Sequence, residues 1–298
     1  MQTNNALLAF EQDQDQISTL STEVSSGSTL TSPGDDPNAW AQSMNFRQGI
    51  REYNTLVSNI NFATGWDQAT DSSLNQISTL LSQAQQTAIS AQGASGMSDP
   101  SALVTSLDGV LQQMVSAANS QYGDQYIFSG TSGSTTPPFS LDDTTGTVTY
   151  TGDSGQINVR TDPGSGASFT VNLSGDQVFN FQIGGTTHNM IQEVWNLKQA
   201  IATGNTTTIQ NEVGILNQAS QYLAQQTVTT GSRLDTLQNQ QSAITALTTD
   251  EQSHLSDLSD TNMAQTITQL QQYQTAYQAA LQVTGSLDNV TLLNYLPT

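Results

Sequence analysis

Apolar residues recur at alternating steps of three and four along two long stretches, Pro37 to Pro100 and Gly164 to Ser286, whose interiors lack proline. This spacing returns a side chain to the same face of an α-helix and is typical of a seam between packed helices. The clearest seam lies in the second stretch, where polar residues fill the intermediate positions. Its apolar members are Ile209, Val213, Leu216, Leu223, Leu234, Leu237 and Ile244.

The apolar period falls to two in the middle of the chain, from about Pro137 to Gly185, and turn signals such as Asp162-Pro163-Gly164 separate the short runs. This pattern predicts antiparallel strands. The runs contain Val148, Tyr150, Ile157, Val159, Phe169, Val171, Leu173, Val178, Phe179 and Phe181. Because helical blocks flank this region, we expect a mainly α fold. A long antiparallel bundle or coiled coil of the N- and C-terminal segments would carry a small antiparallel β domain inserted in the middle.

Several signals predict where the helices begin and end. The first helix should stop at Gly27, and Asp36-Pro37 and Asp99-Pro100 should each cap the start of a helix. The polar stretch from Thr64 to Asp71 predicts a bend or loose packing in the second helix. The last helical stretch should begin at Thr206, loosen between Thr248 and Ser253, and continue to about Thr284.

These signals divide the chain into five predicted segments. They are an N-terminal assembly helix and turn (1–36), a first bundle half (37–125), a β-rich outer domain (126–187), a second bundle half (188–262) and a C-terminal assembly helix (263–298).

The two terminal helices carry thin apolar stripes, and a helix that buries so little surface is marginal alone. We therefore predict that the stripes bury their surface between subunits and form a self-assembly interface. The interface residues are Phe10, Ile17, Leu20, Val24, Ile267, Leu270, Tyr277 and Leu281.

The composition of the chain argues against two classes of binding partner, nucleic acids and membranes. The 298 residues carry 25 acidic and 5 basic side chains, a formal charge of −20, which would repel nucleic acid and anionic membranes. The chain has no cysteine, and its early apolar run from Ala6 to Phe10 is too short for a signal peptide or a membrane span. We expect no nucleic-acid partner and no membrane insertion.

Catalytic and metal-binding motifs are missing from the sequence. His188 and His254 are isolated, so structural or solvated roles are favoured over metal binding. Asp142, Asp143 and Asp153 could hold calcium, but no known calcium-loop pattern surrounds them, and turn acids are the simpler interpretation. We predict no enzyme activity, no cofactor and no metal.

Two further groups of residues are singled out. Asp35, Asp36 and Pro37 form a turn that caps the start of the second helix. Arg47, Arg51 and Arg233 are three of the five basic residues and fall in helical blocks. We predict that they form interhelical ion pairs that set the helix register, the alternative being a solvated surface.

The order of these landmarks resembles the flagellar hook-associated protein 3 family, which is flagellin-like and forms the junction between hook and filament. The resemblance covers nearly the whole chain. The matching positions are Ser26-Gly27, Asp35-Asp36-Pro37, Asn59-Ile60, Asn119, Tyr126-Ile127-Phe128-Ser129-Gly130-Thr131, Pro138-Phe139, Tyr150-Thr151-Gly152-Asp153, Gly231, Arg233-Leu234 and the tail from Asp257 to Leu296.

This resemblance implies export through the flagellar channel and an extracellular location in the bacterial flagellum. It also implies that the terminal helices polymerise in the inner tube while the β domain faces outward. The turn at Asp35, Asp36 and Pro37 would then lie near a subunit contact as well as capping the second helix. The implied partners are other copies of the chain, flagellin, the junction protein on the hook side, and a cytoplasmic export chaperone on the C-terminal helix.

Two alternatives stay open from the sequence. The first is a flagellin, the filament subunit itself, although the ending Leu292-Leu293-Asn294-Tyr295-Leu296 resembles the junction family better. The second is a secreted stalk-and-head adhesin that binds glycans, for which Tyr150 and Trp195 are too scattered to form an obvious stacking platform.

Overall fold

The computed structural model describes residues 2–93, 100–132, 136–164, 166 and 168–293. The chain divides into two compact units, of which unit 1 comprises Met1–Glu52 with Ala246–Thr298, and unit 2 comprises Tyr53–Thr245. The helices are α1 (Gln2–Ser26), α2 (Pro37–Gln92), α3 (Pro100–Ala118), α4 (Gly175–Phe179), α5 (Met190–Ala202), α6 (Thr206–Ser259) and α7 (Met263–Leu293).

The strands pair as four separate two-stranded antiparallel sheets, all in unit 2. Phe139 lies opposite Tyr150 in the second sheet, and Val159 lies opposite Phe169 in the third. The pairs are β1 (Gln121–Tyr122) with β2 (Gln125–Tyr126), β3 (Phe139–Leu141) with β4 (Val148–Tyr150), β5 (Asn158–Arg160) with β6 (Ser168–Thr170), and β7 (Asn180–Ile183) with β8 (Thr186–Asn189).

In unit 2, α2 and α6 run antiparallel. Gln85 near the end of α2 donates a hydrogen bond to Ser220 in the first half of α6, whereas Asn61, earlier in α2, accepts one from Gln241, later in α6. The seam predicted on α6 faces the core, where Ile209, Leu216, Leu223 and Leu237 are fully buried. Complete burial of one such side chain contributes about 1.5–3 kcal/mol, so this seam is a main source of stability.

The β hairpins pack on the same core. The Phe179 ring lies between those of Phe128 and Phe139, with ring centroids 5.6 Å from the former and 4.6 Å from the latter. The predicted fold class is confirmed, since long packed helices carry small antiparallel sheets inserted in the middle of the chain.

The prediction of loose packing between Thr64 and Asp71 is wrong. Helix α2 continues without interruption through this stretch, and Trp66, Asp67 and Thr70 are each at most 1% exposed. In the sequence, these polar residues predicted a segment exposed to solvent. They are buried because other elements of unit 2 supply partners, such as Arg233 for Asp67.

Two further element predictions are corrected. Helix α6 is unbroken from Thr248 to Ser253, and the interruption falls at residues 260–262, where the backbone bonds to the turn after α1. Val178 and Phe179 lie in the short helix α4 instead of a strand, and the Gln177 side chain accepts a hydrogen bond from the Ser174 N–H at the start of this helix.

Other boundaries agree with the prediction. Helix α1 ends before Gly27, which has the positive φ of +72° that a glycine adopts readily after a helix. Helix α2 begins at Pro37 and α7 at Met263, two of the predicted segment boundaries. The division into five segments itself remains a prediction, and the cap at Asp99 and the ending 294–296 lie outside the described residues.

Candidate assembly surface

The two terminal helices pack against each other in unit 1. The rings of Phe10 on α1 and Tyr277 on α7 meet edge to face, with centroids 5.7 Å apart. Leu20 is the one stripe residue that is buried, at 7% exposure. Phe10, Ile17, Val24, Leu270 and Tyr277 are half-buried. The structure therefore brings the two predicted stripes together within one chain.

Part of the apolar surface of this helix pair faces outward. Among the predicted interface residues, Ile267 is 39% exposed and Leu281 is 50% exposed. Leu8 at 57% and Tyr273 at 36% are also exposed, and sequence reasoning missed both because they lie off the stripes. We call Leu8, Ile267, Tyr273 and Leu281 the exposed apolar set. Large apolar side chains left exposed on a helix pair are candidates for contact with a partner.

The turns that precede α2 and α7 are tied together in unit 1. Ser28 and Asp260 form an isolated antiparallel bridge. The Thr29 N–H donates to the Ser259 carbonyl at 2.7 Å, and the Thr261 N–H donates to the Gly27 carbonyl at 3.0 Å. These bonds hold the end of α1 beside the start of α7, which explains how the two helices come to be paired.

The turn at Asp35, Asp36 and Pro37 has the predicted capping geometry. The Asp36 carboxylate accepts hydrogen bonds from the N–H groups of Asn38 at 2.9 Å and Ala39 at 3.0 Å, and Pro37 is the first helical residue. Asp35 accepts from the backbone and hydroxyl groups of Ser32 and Thr31. These hydrogen bonds, led by that of the Ser32 N–H, lower the pKa of Asp35. A subunit contact at this turn remains a prediction.

Of the three predicted ion-pairing arginines, Arg233 on α6 pairs with Asp67 on α2, the Nη2 atom lying 3.2 Å from Oδ1. This ion pair joins the two helices, and its role in setting the helix register remains a prediction. Arg47 and Arg51 are exposed on α2, and their interhelical pairing remains a prediction.

Arg233 also forms hydrogen bonds with the β5–β6 hairpin and the residue that follows it. Its Nη2 atom donates to the carbonyl oxygens of Thr170 and Val171, the latter at 2.6 Å, and its guanidinium lies 5.3 Å from the centroid of the Phe169 ring. Asp67 is fully buried, and this burial raises its pKa to about 7 against the lowering effect of Arg233. Sequence reasoning missed Asp67 because no local pattern shows that it is buried.

Many of the positions that carry the family resemblance lie close together in unit 2, where their side chains hydrogen-bond to backbone groups of other segments. We call these residues the motif cluster. Asn119 at the end of α3 donates to the Phe139 carbonyl and accepts from the Phe139 N–H, both at 2.9 Å. The Tyr150 hydroxyl lies 2.8 Å from the Phe128 carbonyl oxygen and accepts from the Gly175 N–H at 3.1 Å. The motif cluster therefore joins α3, β3, β4 and α4.

Asp153 completes the motif cluster. Its carboxylate accepts from the Thr131 N–H at 2.6 Å and from the Gly155 N–H at 2.8 Å, and these two bonds lower its pKa. Gly130 has a φ of +72°, and a side chain there would collide with Asp153. The Ser-Gly-Thr motif thus needs glycine for both its backbone angle and its space.

Other candidate sites have structural explanations. His188 bonds to Glu193 through Nδ1 at 2.9 Å, and His254 stacks on Phe46 with centroids 5.7 Å apart. Asp142 accepts from the Thr144 N–H within its own turn. Trp195, the candidate for glycan stacking, donates to the Asp143 carbonyl. Within the described ranges, no group of three His, Cys, Asp or Glu side chains is arranged to hold a metal ion.

None of the helices is long and apolar enough to cross a membrane in the part of the chain that the structure describes.

Comparison with known proteins shows similarity to flagellin-like proteins. Residues 1–133 match the family model of the bacterial flagellin N-terminal helical region. Within that class, the chain is 30% identical to flagellar hook-associated protein 3 of Salmonella typhimurium over 163 residues, 54% of this chain and 49% of the relative. The predicted resemblance to the hook-associated protein 3 family is confirmed.

Solved structures show the same fold. A Vibrio parahaemolyticus protein assigned as a flagellar hook-associated protein matches with a TM-score of 0.66 and 18% identity, over 76% of this chain and all of that chain. The flagellar junction protein FlgL of Legionella pneumophila matches with a TM-score of 0.57 and 18% identity, over 73% of this chain and 99% of its own. In sequence, the chain spans about half the length of the curated relatives that it matches.

Proposed function

We propose that this protein is a structural, non-catalytic component of the bacterial flagellum, a junction protein that connects hook to filament by self-assembly of α1 and α7. The observation that carries the proposal is the helix pair of unit 1, whose exposed apolar set leaves large side chains open to a neighbour. The names of the similar proteins point to the same role.

The proposal includes the partners and the location. The protein forms a thin layer with other copies of itself, between the junction protein on the hook side and flagellin on the filament side. It reaches this extracellular place through the flagellar export channel, and a cytoplasmic chaperone covers its C-terminal helix before export. The stripe residues and the turn at Asp35, Asp36 and Pro37 lie at the subunit contacts.

A flagellin is the second candidate, since the family model that matches residues 1–133 describes the flagellin N-terminal region. Electron microscopy of a deletion strain separates the two. Loss of a junction protein leaves intact hooks and releases normal filament protein into the medium, whereas loss of the filament subunit leaves hooks with no released filament protein.

The assembly surface is tested with the double variant Ile267→Ser and Leu281→Ser, compared with Val228→Ser on α6, which replaces a side chain that is 72% exposed in unit 2. Burial of one large aliphatic side chain contributes about 1.5–3 kcal/mol, so the double variant should assemble at least about tenfold more weakly. Circular dichroism should show unchanged helix content in both variants, because the replaced groups are exposed in the monomer. Wild-type assembly by the double variant would contradict the proposed surface.

Hydrogen exchange supplies a second test. The amides of residues 1–30 and 265–298 should gain protection when the monomer enters the polymer. High protection of both segments in the dilute monomer, without change on assembly, would contradict intersubunit burial of the terminal helices.

A further inference from the structure

A buried polar cluster in unit 2 has no part in the proposed assembly. His188 on β8, Glu193 and Asn196 on α5, and Glu212 on α6 contact one another, and we call them the carboxyl cluster. One Glu193 oxygen lies 2.9 Å from Nδ1 of His188, and the other accepts a hydrogen bond from Asn196 at 2.9 Å. The two glutamates are almost fully enclosed, Glu193 at 6% and Glu212 at 7% exposure.

Glu212 adds a second carboxyl group at hydrogen-bonding distance from Glu193. Its Oε2 atom is buried and receives no hydrogen bond from the described residues. Two carboxylates in contact at a buried site cannot both carry a charge at low cost. Both Glu193 oxygens already face hydrogen-bond partners, whereas Oε2 of Glu212 has none among the described residues, so Glu212 is the member placed to hold a proton.

The polar and charged groups on the neighbouring elements have hydrogen-bond or ion-pair partners of their own. On α5, Lys198 is engaged by Asp108 of α3 at 2.8 Å. The His188 ring packs on Phe181, and the Tyr222 hydroxyl of α6 donates to the Gln177 carbonyl. His188 contacts Glu193 directly, and the charged groups Lys198 and Asp108 on the neighbouring elements are paired with each other.

We propose that Glu193 and Glu212 share one proton, and that this proton fastens the β7–β8 hairpin and α5 to α6. The hydrogen bond from protonated Glu212 to Glu193 links α6 to α5, and the bond between Glu193 and His188 continues the link to β8. When Glu212 loses its proton, attraction between the two carboxyl groups becomes repulsion and the contact loosens. The carboxyl cluster is thus a proton-dependent latch inside unit 2, and it does not depend on the proposed function.

The direction of the pH effect follows from the environment of Glu212. Burial, followed by the charge of Glu193 and the hydrogen bond with it, raises the pKa of Glu212 to about 8 from an ordinary value of 4.5. A raised folded-state pKa means that the latch contributes fully below about pH 4.5 and is lost as the pH rises through about 8. Unit 2 should therefore be tighter in acid than in mild alkali.

The test uses the full-length chain and the variant Glu212→Gln, whose amide has the shape of the protonated acid and does not ionise. Hydrogen exchange of β7, β8 and α5 amides, corrected for the intrinsic pH dependence of exchange, gives their opening constants between pH 5 and 8. The wild-type constant divided by that of the variant should rise about tenfold per pH unit. The matched control is Asp124→Asn, an exposed acid of unit 2, for which the ratio should stay constant.

A pH-independent ratio for Glu212→Gln would overturn the proposal. If that variant fails to fold, carbon-13 NMR of the wild-type Glu212 carboxyl group decides the matter. A midpoint near pH 8 supports the latch, whereas a midpoint near 4.5 overturns it.

Discussion

At the scale of single residues, the side chains of the motif cluster hold the backbone of unit 2 in place. Asn119, Tyr150 and Asp153 each bond to backbone groups of a different segment, so each fixes the path of the chain at a point where no regular ladder does. Burial raises the pKa of the Tyr150 hydroxyl, which keeps it protonated as a hydrogen-bonding group.

The substitution Tyr150→Phe tests this role, because it removes one oxygen and keeps the ring. The hydroxyl contacts to the Phe128 carbonyl and the Gly175 N–H would be lost, while these two groups keep their mutual hydrogen bond at 3.0 Å, so we expect a loss of about 0.5–1.5 kcal/mol in unfolding free energy. Urea unfolding measures this loss. Tyr273→Phe, at an exposed tyrosine of α7, is the control and should stay within about 0.5 kcal/mol of wild type. Equal effects of the two changes would show that the hydroxyl contacts are unimportant.

At the scale of elements, Arg233 joins α6 to α2 and to the β5–β6 hairpin. A guanidinium suits this position because its planar fork presents several donors and a flat face at once. It meets a carboxylate, two carbonyl oxygens and an aromatic ring. One side chain thereby sets the position of the hairpin on the paired helices of unit 2.

Replacement of Arg233 should therefore be costly. Arg233→Ala leaves the Asp67 carboxyl buried without its charged partner, and we expect a loss of about 3–5 kcal/mol in unfolding free energy. Arg233→Lys should recover only part of this, because an ammonium group lacks the fork and the flat face. Thermal and urea unfolding measure both variants, with Gln76→Ala at an exposed glutamine of α2 as the control. Full stability of Arg233→Lys would contradict the role assigned to the guanidinium.

At the scale of the whole molecule, acidic groups dominate the charge, and the buried ones favour the protonated form. Burial raises the pKa of Asp67 to about 7 and that of Glu212 to about 8. Exposed Asp35, Asp142 and Asp153 have lowered pKa values because backbone N–H groups donate to them. The stabilisation that Asp67 and Glu212 contribute is lost as the pH rises. The stabilisation from the three exposed aspartates is lost as the pH falls below about 3.8.

Stability should consequently be greatest at about pH 4–5, below the usual range for folded proteins. From there to pH 8 the unfolding free energy should fall by roughly 1.4 kcal/mol per pH unit for each carboxyl group that is protonated only in the folded chain. Urea midpoints between pH 3 and 9 measure this curve. The same measurement in 0.5 M salt separates the effect of Asp67 and Glu212 from general repulsion by the net charge of −20, because salt screens that repulsion. A maximum at pH 7 or above would contradict the prediction.

The sequence by itself determined the features that depend on neighbouring residues. Apolar spacing marked the seam of α6, Asp36-Pro37 marked the start of α2, and Gly27 marked the end of α1. These signals suffice because helical periodicity, capping and positive backbone angles act within a few residues. The same local order of motifs was enough to indicate the resembling family.

Only the tertiary structure decided the features that depend on residues far apart in the chain. It placed Asp67 in the core, because Arg233 lies 166 positions later and supplies its partner. It set the break between α6 and α7 at residues 260–262, because the backbone there bonds to the turn after α1. It brought Glu193 and Glu212 into contact, because α5 and α6 pack together. Burial and long-range pairing change the energy of a polar group by more than its local propensity does, and no short window of sequence contains them.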